Sequence, residues 1–104
     1  MIMKPALSIT RMHQLVMDNK VSSLTLIDEA YSRLHQQETT LQAFREIGEA
    51  PDRAPQGLLA GVCVSVKDLY AVTGFATYAG SPFPLQEFNA SGTLVKRLTN
   101  AGAH

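Results

Sequence analysis

The chain has 104 residues, of which 45% are hydrophobic, and its nine basic and nine acidic residues cancel. This composition is typical of a globular protein, and the scattered, balanced charge argues against direct binding to nucleic acid or to a membrane surface. Met1–Leu7 contains no long apolar run, no stretch reaches transmembrane length, and the single Cys63 forms no internal disulfide, which together predict a cytoplasmic protein.

The first third of the chain predicts two successive helices. Ser8 is a suitable N-cap for the first helix, whose apolar residues recur at helical spacing until Asn19. The second helix is predicted over about residues 23–37, with Ser22 or Ser23 as its cap. Its apolar stripe consists of Leu24, Ile27, Tyr31 and Leu34.

Two strands are predicted after the helices. The first is Leu41–Ile47, and the prolines and glycines of residues 48–57 then indicate an exposed loop. The second strand lies within Leu59–Leu69, where valines alternate with polar residues. This alternation places Val62, Val64 and Val66 on one face and Cys63, Ser65 and Lys67 on the other. Glycines and prolines predict an irregular segment over residues 71–87.

A last helix is predicted to begin at Ser91, which can cap it, and to end at Gly102. Its apolar residues Leu94, Val95 and Leu98 are expected to face inward. A helix closed by glycine after a strand and a loop is typical of a strand–helix–strand unit just before its next strand. The pattern therefore favours the α/β class and a truncated piece of a larger protein. The alternative is a complete small α+β domain with an exposed sheet edge.

Several kinds of site receive no support from the residues. The three histidines are far apart in the sequence and form no metal-ligand spacing, and no glycine-rich phosphate loop is present, so we expect neither metal nor cofactor. Ser81 lies in a Gly-Ser-Pro turn and is interpreted as structural. Cys63 is interpreted as a buried, inert strand cysteine, since no histidine lies beside it.

Lys67 is the residue that could carry chemistry. A lysine that follows a valine-rich strand is in most proteins a surface residue. A lysine held in a partly dry site is instead favoured in its neutral form, which is a base. The residues alone leave both interpretations open.

The segment from Gly61 to Asp68, with its valine alternation and its Lys-Asp ending, resembles the N-terminal part of the amidase signature family. The match continues through Gly74, Thr77, Gly80 and Ser81 and through the helix end of Val95–Leu98 and Ala101–Ala103. The resemblance implies the α/β, mixed-sheet fold of that family. In this interpretation 1–104 is the N-terminal part of one amidase domain, truncated at its C-terminal end. A helical hairpin then occupies about 1–38, and a lysine-bearing strand, loop and helix occupy about 57–104.

The resemblance also implies an activity, the hydrolysis of a carboxylic amide C–N bond by a Ser–cis-Ser–Lys triad without a cofactor. Lys67 is then the catalytic lysine, and the substrate is a small linear amide. Both serines and the oxyanion hole come from a Gly/Ser-rich stretch that lies beyond His104 in such enzymes. The 104-residue chain by itself is therefore expected to be inactive.

Two neighbours of Lys67 are interpreted in the light of the resemblance. Cys63 stands where the family usually has proline, a change that leaves the register of Lys67 intact. Asp68 falls on the opposite face from Lys67 and is expected to be a structural hydrogen-bond acceptor rather than a base.

Two other functions remain open at this point. The chain could belong to the A subunit of a glutamyl-tRNA amidotransferase, which releases ammonia from glutamine for a partner protein. It could also be a non-catalytic truncated product or a small interaction domain. Partners are accordingly a small-molecule amide, a second copy of the chain or amidotransferase subunits.

Overall fold

The structure is a computed structural model that describes residues 7–87 and 90–104. Its elements are, in chain order, α1 (Ile9–Met17), α2 (Ser23–Leu41), β1 (Ala76–Thr77), β2 (Gln86–Glu87) and α3 (Thr93–Asn100). The two short strands pair antiparallel, with Ala76 opposite Glu87 and Thr77 opposite Gln86. Within the described residues, no helix is both long enough and apolar enough to cross a bilayer.

The starts of α1 and α2 confirm the predicted serine caps. The Ser8 hydroxyl accepts the Arg11 N–H at 3.1 Å, and the Ser22 hydroxyl accepts the Thr25 N–H at the same distance. These bonds satisfy backbone donors that have no partner within the first helical turn. Asn19, in the turn between the helices, has a left-handed φ of 54°.

The predicted strand over Leu41–Ile47 is wrong. Helix α2 continues to Leu41 and ends at Gln42, whose left-handed φ of 47° turns the chain away from the helix axis. The Glu38 side chain then accepts the Phe44 N–H at 2.9 Å, so the segment after the helix is tied back to it. The apolar residues that predicted a strand therefore belong to two different structures. Leu41 is the last residue of α2, and the others lie in the irregular segment over residues 42–47.

Three glycines form the most closely packed part of the backbone. Gly57, Gly61 and Gly102 all have positive φ, at 128°, 89° and 98°. A Cβ on Gly57 would lie 2.5 Å from the Ala101 carbonyl oxygen, and one on Gly61 would lie 2.8 Å from Leu26 Cδ1. We call this region, where the 55–61 loop meets the start of α2 and the end of α3, the glycine junction.

The predicted strand within Leu59–Leu69 is realised only in part. Leu59 belongs to a turn, whereas Val64 donates its N–H to the His104 carbonyl at 2.7 Å and His104 donates to the Val62 carbonyl at 2.9 Å. This pair of bonds is the pattern of two parallel strands. Residues 62–64, α3 and residues 103–104 thus outline a strand–helix–strand unit, although the wider mixed sheet is not visible.

Helix α3 begins later than predicted. Its N-cap is Gly92, which provides no side-chain bond, so the prediction of Ser91 as the cap is wrong. The Ser91 hydroxyl instead accepts the Thr73 N–H at 2.9 Å and so joins the start of α3 to the irregular segment. Leu94 is 53% exposed rather than inward, while Val95 is buried.

The end of α3 confirms the predicted glycine cap. Gly102 donates its N–H to Thr99 O and Ala103 donates to Leu98 O, both at 3.0 Å. This is the Schellman arrangement, in which a left-handed glycine lets two successive N–H groups reach back into the last turn. It directs the chain from α3 toward its pairing with residues 62–64.

The core of the described residues is small and lies around the glycine junction. Ile27 alone among the large side chains has no exposed surface, and the Cα radius of gyration is 14.7 Å. A compact chain of this length would have a radius near 13 Å. Large exposed apolar side chains include Leu41, Phe44, Leu69, Tyr70, Phe83 and Leu85. Much apolar surface is therefore left uncovered.

Candidate active site around Lys67

Lys67 lies on an exposed face of the extended segment after the glycine junction. Burial alternates along this segment, so that Cys63, Ser65 and Lys67 are exposed while Val62 and Val64 are covered. We call the surface formed by Cys63, Ser65 and Lys67 the lysine face. Within the described residues, the Lys67 ammonium group makes no hydrogen bond or ion pair, so it is open to a further partner.

The backbone that follows Lys67 is fixed by a tight turn. The Lys67 carbonyl accepts the N–H groups of Leu69 and Tyr70 at 2.7 and 3.1 Å. Asp68 joins this turn to a second one, at residues 78–81. Its carboxylate accepts the Tyr78 N–H at 2.9 Å, and its backbone carbonyl accepts the Ala79 N–H at 2.8 Å. The prediction that Asp68 is a structural hydrogen-bond acceptor is thus confirmed.

An open cavity of about 530 Å³ borders the lysine face. Its walls come from α2, the segment after α2, the Lys67 segment, the turns after it and the end of α3. Among the residues that line it are Tyr31, Cys63, Ser65, Lys67, Phe75 and His104. The cavity combines apolar walls with a small number of polar groups, a composition typical of small-molecule sites.

A cluster on the cavity wall joins α2 to the end of the chain. His104 Nε2 lies 2.9 Å from the Tyr31 hydroxyl and 2.8 Å from the Glu49 carbonyl oxygen. Because a carbonyl only accepts, Nε2 carries the hydrogen in this arrangement and shares it between two acceptors, the Glu49 carbonyl and the Tyr31 hydroxyl oxygen. Burial raises the pKa of Tyr31, and the nearby Cys63 and Glu49 raise it further. The raised pKa keeps the Tyr31 hydroxyl protonated at neutral pH.

Cys63 differs from its prediction in one respect. The side chain is exposed on the lysine face, so the expectation of a buried cysteine is wrong. Partial burial of the sulfur nevertheless raises its pKa, which the nearby Arg33 opposes. A raised pKa lowers the thiolate fraction at neutral pH and hence the nucleophilicity of the thiol.

Neither Ser65 nor Ser81 makes a hydrogen bond to a lysine or a histidine among the described residues. Ser81 accepts the Phe83 N–H at 3.2 Å within a turn, as its structural interpretation requires. Ser65 shares the lysine face with Lys67 but makes no hydrogen bond to it among the described residues. No group of three His, Cys, Asp or Glu side chains within residues 7–87 and 90–104 could hold a metal ion.

Two contacts around the cavity were not predicted from the sequence. One is the Tyr31–His104 bond, between residues that are 73 positions apart. The other is the Arg45 guanidinium, which lies 3.8 Å from the centre of the Tyr78 ring. Neither contact has a sequence signal, because each depends on how distant segments fold together.

Comparison with known proteins finds a family model and relatives that match most of this chain. A protein-family model described as Amidase matches residues 21–104. The A subunit of the glutamyl-tRNA(Gln) amidotransferase of Bacillus velezensis is 31% identical over 110 residues, and an amidase of Pseudomonas putida is 28% identical over 109 residues. These matches cover 91% and 93% of this chain but only 22% and 23% of the relatives, so the chain spans less than a quarter of their length.

A solved structure gives the same picture at the level of the fold. It is described as an inhibitor-bound vestigial protein complex that reveals the evolutionary origins of an s-triazine catabolic enzyme. The TM-score is 0.80 at 24% identity, over 93% of this chain and 24% of that one. Since the family model covers most of the residues, including Lys67 and its anchoring turns, the chain belongs to the amidase family.

Proposed function

We propose that this chain forms the N-terminal, lysine-bearing part of an amide hydrolase in which Lys67 is the general base. The observation that carries the proposal is the position of the Lys67 ammonium at the edge of the cavity, where it has no partner among the described residues. In the proposal, a longer protein covers the lysine face, and the loss of water there favours the neutral amine that a base requires. A general base must lie within hydrogen-bond reach of the proton that it takes, and an amine at the edge of a cavity is accessible to such a group. The helices of about 1–38 and the segment of about 57–104 serve in this proposal as the scaffold that holds it.

The proposed reaction uses two serines supplied from outside these 104 residues. Neutral Lys67 takes a proton from a bridging serine, which takes one from the nucleophilic serine as that oxygen bonds to the amide carbon. The C–N bond then breaks, and the leaving amine takes up the proton. Water hydrolyses the acyl-enzyme and releases the carboxylic acid. No cofactor takes part.

The experiment is a steady-state assay on a small aryl amide, and it uses the longer protein, here called the full-length protein, to which the proposal assigns these 104 residues. Lys67→Ala should lower kcat by about 10³-fold or more, because loss of a triad member removes proton transfer from every turnover. Lys67→Arg should lower kcat by a similar factor, since a guanidinium does not deprotonate at working pH. Lys96→Ala, which removes an exposed lysine of α3, is the matched control and should keep full activity. Near-normal turnover by folded Lys67→Ala protein would refute the proposal.

The 104-residue chain by itself should show no turnover in this assay. It contains the proposed base but neither the two serines nor the oxyanion hole on which the reaction depends. Turnover above the buffer rate by the purified chain would show that its own residues complete a different active site.

The relatives named as amidotransferase subunits favour one alternative substrate. If the full-length protein releases ammonia from glutamine, it would act with partner subunits on a tRNA-linked acceptor. Comparing glutamine with a small aryl amide as substrate for the same preparation distinguishes the two. The role of Lys67 is the same in both cases.

A further inference from the structure

We infer that Asp68 is a positioning residue for Lys67, acting as a hydrogen-bond acceptor rather than through its charge. The inference rests on the proposed function, because it assigns a role in the work of the same lysine. It begins from the fact that the Lys67 ammonium has no partner among the described residues. The position of Nζ is therefore set by the backbone at residue 67 and by the rotamers of a flexible side chain.

The backbone around Lys67 is held at two points. On its N-terminal side, Val62 and Val64 pair with His104, whereas Ser65 and Val66 make no backbone hydrogen bonds among the described residues. On its C-terminal side, the first hydrogen bonds to another segment are those of Asp68. Lys67 thus lies at the end of a short unpaired stretch, and Asp68 provides the anchor next to it.

The turn to which Asp68 binds is itself well braced. Tyr78 and Ala79 donate to the Asp68 carboxylate and carbonyl, and Ser81 donates its N–H to Tyr78 O at 2.9 Å. The Arg45 guanidinium lies over the Tyr78 ring at 3.8 Å. Asp68 therefore connects the lysine segment to a turn that the segment following α2 also contacts.

The geometry separates two roles for the carboxylate. One oxygen, Oδ1, accepts the Tyr78 N–H, and no hydrogen bond or ion pair joins the carboxylate to Lys67. An acceptor at this position is needed for the anchor, and a negative charge is not. An asparagine side-chain oxygen can accept the same bond, whereas alanine leaves the Tyr78 N–H without its partner.

The test compares four variants of the full-length protein in the aryl-amide assay, with kcat expressed per folded molecule. Asp68→Asn should keep kcat within about threefold, since the acceptor remains. Asp68→Ala should lower kcat by about 100-fold with KM little changed, the size of effect that follows a displacement near 1 Å of a reacting group. Asp28→Ala, which removes an exposed carboxylate of α2, is the matched control and should leave both constants unchanged.

The fourth variant keeps the test decisive if Asp68→Ala does not fold. Asp68→Glu retains the charge but moves the carboxylate by one methylene, so kcat should fall by about tenfold while Asp68→Asn stays active. The pH dependence of kcat in Asp68→Asn should match that of the unaltered protein. A loss of more than tenfold in Asp68→Asn, a shifted pH profile, or full activity in folded Asp68→Ala or Asp68→Glu would overturn the inference.

The parallel assay of Lys67→Ala separates this inference from the function on which it rests. Inactive Lys67→Ala protein with fully active Asp68→Ala protein refutes only the positioning role. Active Lys67→Ala protein refutes the proposed function itself.

Discussion

The glycine junction and the lysine face differ in how closely their atoms pack. In the junction, Leu59 donates to the Ala101 carbonyl at 2.7 Å, and the glycine at 57 leaves no room for a Cβ. On the lysine face, which begins only two residues after Gly61, Cys63 and Lys67 are exposed and make no side-chain hydrogen bonds among the described residues. The comparison indicates a closely packed junction beside an open face that carries the proposed base.

This division has a physical basis in the type of bond each region uses. The junction relies on backbone groups that approach each other where side chains are absent, so its geometry tolerates few substitutions. The lysine face is exposed on one side, and the hydrogen bonds that join its segment to other described segments are those of Val62, Val64 and Asp68. Substitutions in the junction should therefore affect stability, and substitution of Lys67 on the lysine face should affect activity.

The largest expected effect on stability comes from Gly57→Ala. The new Cβ would lie 2.5 Å from a backbone oxygen, at a φ of 128° that L-residues rarely adopt. We expect the free energy of unfolding of the full-length protein to fall by about 3 kcal/mol, measured by urea denaturation.

Gly74→Ala is the matched control for Gly57→Ala. Gly74 also has a positive φ, at 88°, but among the described residues no atom beyond its two chain neighbours lies within 4 Å of the new Cβ. Its cost should be limited to the left-handed conformation, about 1 kcal/mol. Equal costs for the two variants would show that close packing at the junction contributes little.

A smaller effect is expected at the start of α3. Gly92 is the N-cap, has extended φ and ψ of −65° and 165°, and makes no side-chain cap bond. Gly92→Asp supplies an acceptor for the first helical N–H groups and should raise the free energy of unfolding by about 0.5–1 kcal/mol.

Gly92→Ala isolates the contribution of the cap bond. Alanine lowers the entropy of the unfolded chain as aspartate does, but it offers no side-chain acceptor. Thermal denaturation should therefore rank the aspartate variant above the alanine variant. The reverse order would show that the first turn of α3 is already satisfied.

The smallest effect is expected for Cys63→Ala, a change on the lysine face that does not touch the proposed base. The side chain is exposed, and partial burial of its sulfur raises the pKa of the thiol. We therefore expect kcat to change by less than about twofold and the free energy of unfolding by less than about 0.5 kcal/mol. Alkylation by iodoacetamide should require a higher pH than alkylation of a solvated cysteine peptide. Inactivation by a thiol reagent that substrate prevents would contradict this, because it would place the thiol in the reaction.

The sequence predicted the features that depend on local chemistry. The serine caps at Ser8 and Ser22 and the glycine cap at Gly102 all follow from interactions within a few residues. The alternation of valines with Cys63, Ser65 and Lys67 also appears as an alternation of burial. These patterns are strong because each position is determined by its neighbours in the chain.

Features that depend on tertiary contacts were missed or predicted wrongly. The strand predicted from Leu41 was wrong because α2 extends to Leu41 and ends at Gln42. Gln42 adopts the left-handed conformation there, which asparagine and glycine adopt more readily, so the residue type at this position does not indicate a helix end. The Ser91 hydroxyl accepts a hydrogen bond from Thr73 and so does not cap α3, which a rule based on neighbouring residues does not predict. The bond between Tyr31 and His104 is another contact that no short-range pattern carries.

The most direct test of the account is a single-turnover experiment on the full-length protein, with enzyme in excess over an aryl amide. In a single turnover, the rate at which the aryl amine forms measures the acylation step, and slow dissociation of product does not affect it. The account predicts that Lys67→Ala slows this step by about 10³-fold or more, while Lys96→Ala releases the amine at the unaltered rate. Equal rates for folded Lys67→Ala protein and unaltered protein would contradict the claim that Lys67 is the base.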